Sequence, residues 1–286
     1  MRRCRFLNDE YFPQLYDAFL EAFSDYVIPF ALTETQFRNH IRLNAVDLDR
    51  SVGCEEAGRL VAFSLTGFGS WNGRSTAYDA GTGVVPSHRR HGLSREMFDM
   101  MVPRFREDGV EQFLLEVVKS NTAAISLYQN LGFQPVRQLA LLQRDGRLAP
   151  EALAPPHGVE IRGIIEPDWN KLTVFWDCQP SWQNSIDAVE RSLGNKSILG
   201  AFVGGECVGY IVFSSQFGRV SQLAVAPDHR GRGIGTALVL AMQDAMADGF
   251  SMQVINIDKA STGAMKFFDK LGFSETLSQH EMIKPM

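Results

Sequence analysis

Residues 121–133 read NTAAISLYQNLGF and residues 261–273 read STGAMKFFDKLGF, an offset of 140. Upstream of each stands a basic stretch with glycine: residues 89–94 read RRHGLS and residues 230–235 read RGRGIG, an offset of 141. Two elements that recur in the same order at nearly the same spacing mark a tandem duplication. A chain of 286 residues has room for two domains of that size.

Working outward from the repeats, residues 144–158 read RDGRLAPEALAPPHG, with three prolines, two glycines and little apolar periodicity. This is connector chemistry. We therefore expect domains at 1–145 and 159–286, joined over 146–158. In the first copy the patterns predict a strand at 3–6, then a helix over 11–23 with Phe12, Leu15, Phe19 and Phe23 on one face. A second helix spans 33–43, with Thr33 and Gln36 forming a capping box. Strands follow at 51–54, 60–68 and 76–85, a helix at 93–105, a strand at 112–118, and a helix at 122–131 stopped by Gly132. The second copy repeats the order. It has a strand at 161, helices at 167–175 and 186–193, and strands at 198–203, 207–213 and 220–225. A helix at 234–247, a strand at 252–257 and a helix at 261–271 complete it. The fold class is α/β, a mixed and mostly antiparallel sheet flanked by helices, in two tandem copies.

Composition narrows the function. Hydrophobic residues make up 45% and charged residues 21% of the chain, the balance of an ordinary soluble protein. Net charge is −5, and neither half carries an excess of Lys and Arg, so no nucleic-acid partner is expected. No apolar run approaches the ~18 residues of a membrane span, and the basic N-terminus is not followed by a signal core. A cytoplasmic protein without a membrane partner is the expectation. Cys4, Cys54, Cys178 and Cys207 lack metal-ligand spacing, so we expect no metal and read them as buried reduced thiols.

The stretch Arg230-Gly231-Arg232-Gly233-Ile234-Gly235-Thr236 follows the apolar strand end Leu223-Ala224-Val225 and opens a helix. Small residues let backbone N–H groups converge there, and the helix terminus adds partial positive charge, which suits a pyrophosphate. A Walker loop would need Lys and Ser or Thr after the last glycine, and a dinucleotide fingerprint would need an earlier place in the sheet. The first copy offers Val84-Val85, then Arg89-Arg90-His91-Gly92-Leu93-Ser94.

An Arg-x-x-Gly-x-Gly loop after a strand, then a helix, a strand and a helix ending in Leu-Gly-Phe, resembles the GNAT acetyltransferase superfamily, and does so in both halves. The resemblance implies acetyl-CoA as cosubstrate, held by these loops between two splayed strands, with Asn121 either near its arm or the N-cap of the helix that follows. Ser94 departs from the glycine or alanine usual at that place. The family's chemistry implies a carboxylate that takes the amine proton and a tyrosine that protonates the sulfur. Around Leu115-Glu116-Val117 and Tyr128 the first copy is similar to the enzymes that acetylate the N-terminal amine of a ribosomal protein. Glu116 and Tyr128 then stand as base and acid. Asp79 is a second candidate base. In the second copy the matching residues are Asn256 and Phe268, which can do neither job, and Asp258 is two positions off. Trp71, Trp169, Trp176 and Trp182 are candidates for acceptor-pocket walls or core. The reading is an N-acetyltransferase acting on a small-molecule or peptide amine by direct transfer, with catalysis in the N-terminal domain. The C-terminal domain is expected to bind CoA or to serve structure. A non-catalytic CoA-binding protein and a protein N-terminal or lysine acetyltransferase are the alternatives.

Overall fold

The structure is a computed structural model that describes residues 2–26, 32–148, 156–246 and 251–286. The chain forms two compact units, Met1–Val136 with His280–Met286, and Arg137–Gln279.

Unit 1 opens with β1 (Arg3–Phe6), which pairs antiparallel with β2 (Val52–Glu56). Between them lie α1 (Phe12–Ala22) and α2 (Glu34–Leu43). The capping box at Thr33 and Gln36 forms as read from the sequence. The long antiparallel hairpin of β3 (Arg59–Trp71) and β4 (Arg74–Val84) turns through Asn72 and Gly73, both at positive φ, the geometry that tight hairpins need. The helix α3 (Leu93–Glu107) buries Met97, Phe98, Met101 and Phe105 on one face. Then β5 (Gln112–Val118) pairs in parallel with β4, and α4 (Thr122–Asn130) follows. Phe98, Phe105, Phe113 and Phe133 fill the core with ring centroids 5.4–5.9 Å apart.

The next strand, β6 (Gln134–Arg144), contributes its Arg137–Arg144 part to unit 2. That unit continues with β7 (Val159–Gly163), α5 (Trp169–Leu172), α6 (Ile186–Glu190), β8 (Ser197–Val203), β9 (Glu206–Ser214) and β10 (Arg219–Val225). It is completed by α7 (Ile234–Asp244), β11 (Met252–Asp258) and α8 (Thr262–Lys270). Strands β7 to β10 pair antiparallel in sequence order, and β11 runs parallel to β10. The helices expected at 167–175 and 186–193 are shorter than read: α5 gives way to a 3-10 turn at Thr173–Phe175, and α6 ends at Glu190. The last residue of the helix expected at 234–247 lies outside the described residues.

The sequence reading ended each copy at its Leu-Gly-Phe helix and missed a final strand in both. The first, β6, pairs antiparallel with β11 from Met252↔Arg144 to Asp258↔Leu139. The second is β12 (Ser274–Pro285), whose end lies beside β5 in unit 1, where Met282 is fully buried. The compact units thus divide the chain differently from the 1–145 and 159–286 expected: each copy's final strand completes the other unit's sheet. Equivalent cations fix this arrangement. Lys284 donates to Leu131 O at 2.6 Å, and Arg144, 140 residues earlier, donates to Leu271 O at 2.8 Å. Each satisfies a carbonyl at the end of the helix, α4 or α8. Gly132 and Gly272 lie there at φ +93° and +77°, and a Cβ at either would run into the cation.

One expectation about the cysteines fails. Cys4 and Cys54 sit directly opposite on β1 and β2 and are joined as a disulfide, while Cys178 and Cys207 are free. Register alone brings the pair together, which spacing in sequence does not reveal. Among the described residues no helix is long and apolar enough to cross a membrane.

Met282 tests the strand assignment. Met282→Ala should cost roughly 2–5 kcal/mol in chemical denaturation, the usual loss for a buried methionine. A loss under about 1 kcal/mol would contradict its place in the core of unit 1.

Candidate active site

The site of unit 1 begins where β4 and β5 stop pairing. Only Thr76↔Gln112, Ala77↔Phe113 and Tyr78↔Leu114 match, and Asp79 is the next residue. The hairpin slips at the same place. Leu65 faces Gly81, Thr66 faces Asp79, and Ala80 is the extra residue of a bulge. His40 of α2 steadies this bulge through Nε2, which donates to Ala80 O at 2.7 Å. Burial holds that imidazole below its usual pKa, so it is the neutral donor.

Asp79 is 8% exposed and carries three hydrogen bonds. Its Oδ1 accepts the Gly81 N–H at 3.0 Å, and its Oδ2 accepts from Thr82 Oγ1 at 2.9 Å and from the Tyr128 hydroxyl at 3.1 Å. Burial pushes its pKa up to about 6, although all three bonds favour the ionised form. Tyr128, on α4 and 8% exposed, is held well above the usual phenol range by burial and by the Asp79 carboxylate. It is therefore a protonated donor at neutral pH. Burial also raises the Tyr26 phenol, which hydrogen-bonds the side chain of Asn121 and feels the charge of Asp79. Asn121 in addition caps α4 by accepting the Ala124 N–H at 3.1 Å.

Glu116 bonds a different tyrosine. Its Oε2 accepts from the Tyr78 hydroxyl at 3.3 Å. The sequence pairs Glu116 with Tyr128 by spacing, but the Tyr128 hydroxyl donates to the second candidate, Asp79. The signal for Asp79 was present in Asp79-Ala80-Gly81-Thr82, a side chain folding back on the N–H two residues on, as aspartate does in turns. Tyr26, Thr82 and His40 carried no such signal and were missed.

The glycine loops of the two units match closely. Arg90 (φ +65°) and Gly231 (φ +71°) share a left-handed backbone, as do Gly92 (φ +78°) and Gly233 (φ +82°), which start α3 and α7. Neither helix has a side-chain N-cap, so its first-turn N–H groups are available to an anion. Arg89 and Arg230 spend their guanidinium groups on protein oxygens. Leu93 and Ile234 are core residues, 2% exposed. The serine at 94 has a packing reason. A Cβ at Gly235 would stand 3.1 Å from the Phe267 ring, and the first copy has the smaller Leu127 at that position.

In unit 2, β10 and β11 share only two pairs, Arg219↔Gln253 and Val220↔Val254, before they part. A cleft of about 570 Å³ opens there, lined by the loop from Arg230 to Thr236, by Leu223–Val225, and by Trp176, Asn256 and Phe268. Its floor is a neutral chain of hydrogen bonds. The Tyr210 hydroxyl donates to Gln222 at 2.8 Å, Gln222 to Asn184 O at 2.6 Å, and Asn184 to Ile255 O at 2.7 Å. The bulge of this unit leaves out Ser221, between Val220 and Gln222. Matched bulge to bulge, Val220 stands where unit 1 has Asp79, and Phe268 where it has Tyr128. Both members of the polar pair are apolar here. Trp71 and Trp182 are core, 5% and 2% exposed. Among the described residues no group of His, Cys, Asp and Glu could hold a metal.

A family model described as "Acetyltransferase (GNAT) family" matches residues 10–133 and 162–273. The chain is 24% identical to a mycothiol acetyltransferase of Renibacterium salmoninarum over 68% of its own length and 69% of that protein's. It is 32% identical to the ribosomal protein bS18-alanine N-acetyltransferase of Escherichia coli over 32% of its own length and 60% of that enzyme's. The fold matches a tandem GNAT protein from the clavulanic acid biosynthesis pathway, with a TM-score of 0.76 at 17% identity over 100% of this chain and 98% of that one. It also matches a GCN5-related N-acetyltransferase from Sphaerobacter thermophilus, with a TM-score of 0.74 at 16% identity over 99% and 95%.

The raised pKa of Asp79 carries a stability consequence. The folded state holds this proton more tightly than the unfolded chain, where the value is 3.8. The stabilisation is therefore complete below pH 3.8 and is lost as pH rises through about 6, by about 3 kcal/mol. Chemical denaturation across that range should show the fall in the native protein and a flatter curve in Asp79→Asn. Parallel curves would contradict the assignment.

Proposed function

The chain belongs to the acetyltransferase (GNAT) family, and we propose that its N-terminal unit transfers acetyl directly to a primary amine through Asp79 and Tyr128. The observation that carries this reading is the Tyr128–Asp79 hydrogen bond at 3.1 Å, set where β4 and β5 part. Acetyl-CoA supplies the acetyl thioester. The N–H groups at the start of α3, together with Arg90 and His91, would hold its phosphates. The exposed loop, the left-handed turns and the lack of a side-chain cap all suit such a group.

An ammonium is no nucleophile, so the acceptor must first lose a proton. Asp79, with a pKa of about 6, is mostly ionised at neutral pH and close enough to that pH to work as a base. It takes precedence over Glu116 because it bonds to the acid. Tyr128 holds the proton that the leaving sulfur needs. As the phenol gives that proton up, the newly protonated Asp79 can return one to the phenolic oxygen. The pair thus moves one proton from nitrogen to sulfur with no net change in its own charge, and the second proton that the ammonium nitrogen gives up in becoming the amide passes to solvent.

Unit 2 is assigned CoA binding without transfer. It keeps the loop and the cleft, while Val220, Asn256 and Phe268 replace base and acid. The names of the relatives support the acceptor class, one a mycothiol acetyltransferase and one a ribosomal protein bS18-alanine N-acetyltransferase. A small-molecule or peptide amine is therefore the acceptor to seek.

A radiolabelled acetyl-CoA assay over an amine and peptide panel tests the reading. Tyr128→Phe and Asp79→Asn should each lower kcat by about 10²–10⁴, with the affinity for acetyl-CoA within about threefold. The native kcat/KM should fall as pH drops below about 6, because the base is then protonated. Substitution of Phe268 by Leu should leave turnover within about threefold. Selective loss of activity in that variant, or an inert Asp79→Asn alongside a dead Glu116→Gln, would reverse the assignment. No turnover with any amine despite tight CoA binding would favour a non-catalytic protein.

A further inference from the structure

The arginine that opens each glycine loop is bonded to the protein itself through all three of its guanidinium nitrogens. Arg89 Nε donates to Val84 O at 3.2 Å, Nη1 and Nη2 each reach the Asp25 carboxylate at 2.6 Å, and Nη2 also reaches Ala22 O at 3.0 Å. Arg230 repeats the arrangement. Its Nε donates to Val225 O at 2.9 Å, Nη1 to Asp177 at 2.7 Å, and Nη2 to Phe175 O at 2.9 Å. Val84 and Val225 are equivalent residues at the offset of the loops.

The segments that receive these bonds are not alike in sequence: residues 22–25 read AFSD and residues 175–177 read FWD. One segment ends an 11-residue α-helix and the other follows a 3-10 turn. Both still deliver one main-chain carbonyl and one aspartate to the same guanidinium. A contact rebuilt from different segments points to a requirement of the loop rather than to a residue of the duplication. The ion pairs are surface pairs, with side chains 41% and 55% exposed in one case and 38% and 56% in the other. Such pairs contribute little to stability. What the planar guanidinium does well is fix geometry, because it bonds several acceptors at set angles.

The braced segment of unit 1 leads straight into the site. Phe23 packs edge-on against Tyr26 at 5.3 Å. Tyr26 in turn hydrogen-bonds Asn121, the N-cap of the helix that carries Tyr128. In unit 2 the segment Phe175–Cys178 lines the cleft.

We propose that Arg89 and Arg230 are positioning residues rather than phosphate ligands. Each ties its glycine loop and strand end to the segment that walls the neighbouring site. In unit 1 that tie sets Tyr26 against Asn121, beside the Asp79–Tyr128 pair. The inference rests on the reading of Asp79 and Tyr128 as the reacting groups.

The test uses the full chain and acetyl-CoA, with Arg89→Lys, Asp25→Asn and Asp25→Glu. Calorimetry measures the acetyl-CoA affinity, and hydrogen exchange follows the amides of residues 22–26. Arg89→Lys and Asp25→Asn should both leave the affinity within about threefold, and both should speed exchange of 22–26 by about tenfold. Asp25→Glu, which keeps the carboxylate, should restore protection. The proposal is overturned if Arg89→Lys weakens acetyl-CoA tenfold or more while Asp25→Asn does not, since Arg89 would then be a phosphate ligand. Unchanged exchange in all three variants overturns it too. If the native protein fails to bind acetyl-CoA, the proposed function falls, and the exchange comparison still decides the brace.

Discussion

Two parallel strands that stop pairing after two or three residues are the constraint on which each site depends. Backbone groups facing such a gap lose their ladder partners and must be satisfied by side chains, water or a ligand. In unit 1 the parting follows Tyr78↔Leu114, and the bulge at Ala80 turns Asp79 inward. The carboxylate then meets the Gly81 N–H, and His40 meets the Ala80 carbonyl. In unit 2 the same need is met by neutral groups, Gln222, Asn184 and the Ile255 carbonyl. One backbone geometry has been finished with a titratable pair in one copy and with amides in the other.

The comparison between copies bears on the role proposed for the titratable pair. A buried carboxylate held at a pKa of about 6 opposes folding at neutral pH. The fold does not require it, since Val220 and Phe268 occupy the same two places in unit 2 and are 1% and 2% exposed. A costly pair kept where an apolar pair fits supports the proposed catalytic role. The glycine loops differ in the opposite sense: both copies keep left-handed turns and an uncapped helix start, and the serine at 94 follows from the smaller neighbour at Leu127. Both copies keep the loop geometry, and only unit 1 keeps the polar pair.

Much of this was legible in the sequence. Periodicity placed the main elements to within a few residues, the Thr33–Gln36 capping box formed as read, and the repeat identified the family. What escaped was set by pairing between residues far apart. The partner of Tyr128 depends on a bulge in β4, so spacing alone favoured Glu116. The joined cysteines depend on the register of β1 and β2. The last strands β6 and β12 escaped because half-exposed strands with mixed polar residues carry a weak pattern, and their exchange between units has no local signature at all. Arg89 resembles a phosphate ligand because a cation beside glycines suggests one, and its four bonds to protein atoms depend on segments far away in sequence.

The central claim is that the copy with the less regular loop does the chemistry. A crystal structure of the full chain soaked with acetyl-CoA tests it most directly. The account predicts a molecule in the parting of β4 and β5, with its sulfur within hydrogen-bonding reach of the Tyr128 hydroxyl and its phosphates on the N–H groups that begin α3. Acetyl-CoA confined to unit 2, with its thioester against Phe268 and the Asp79–Tyr128 pair left untouched, would contradict it.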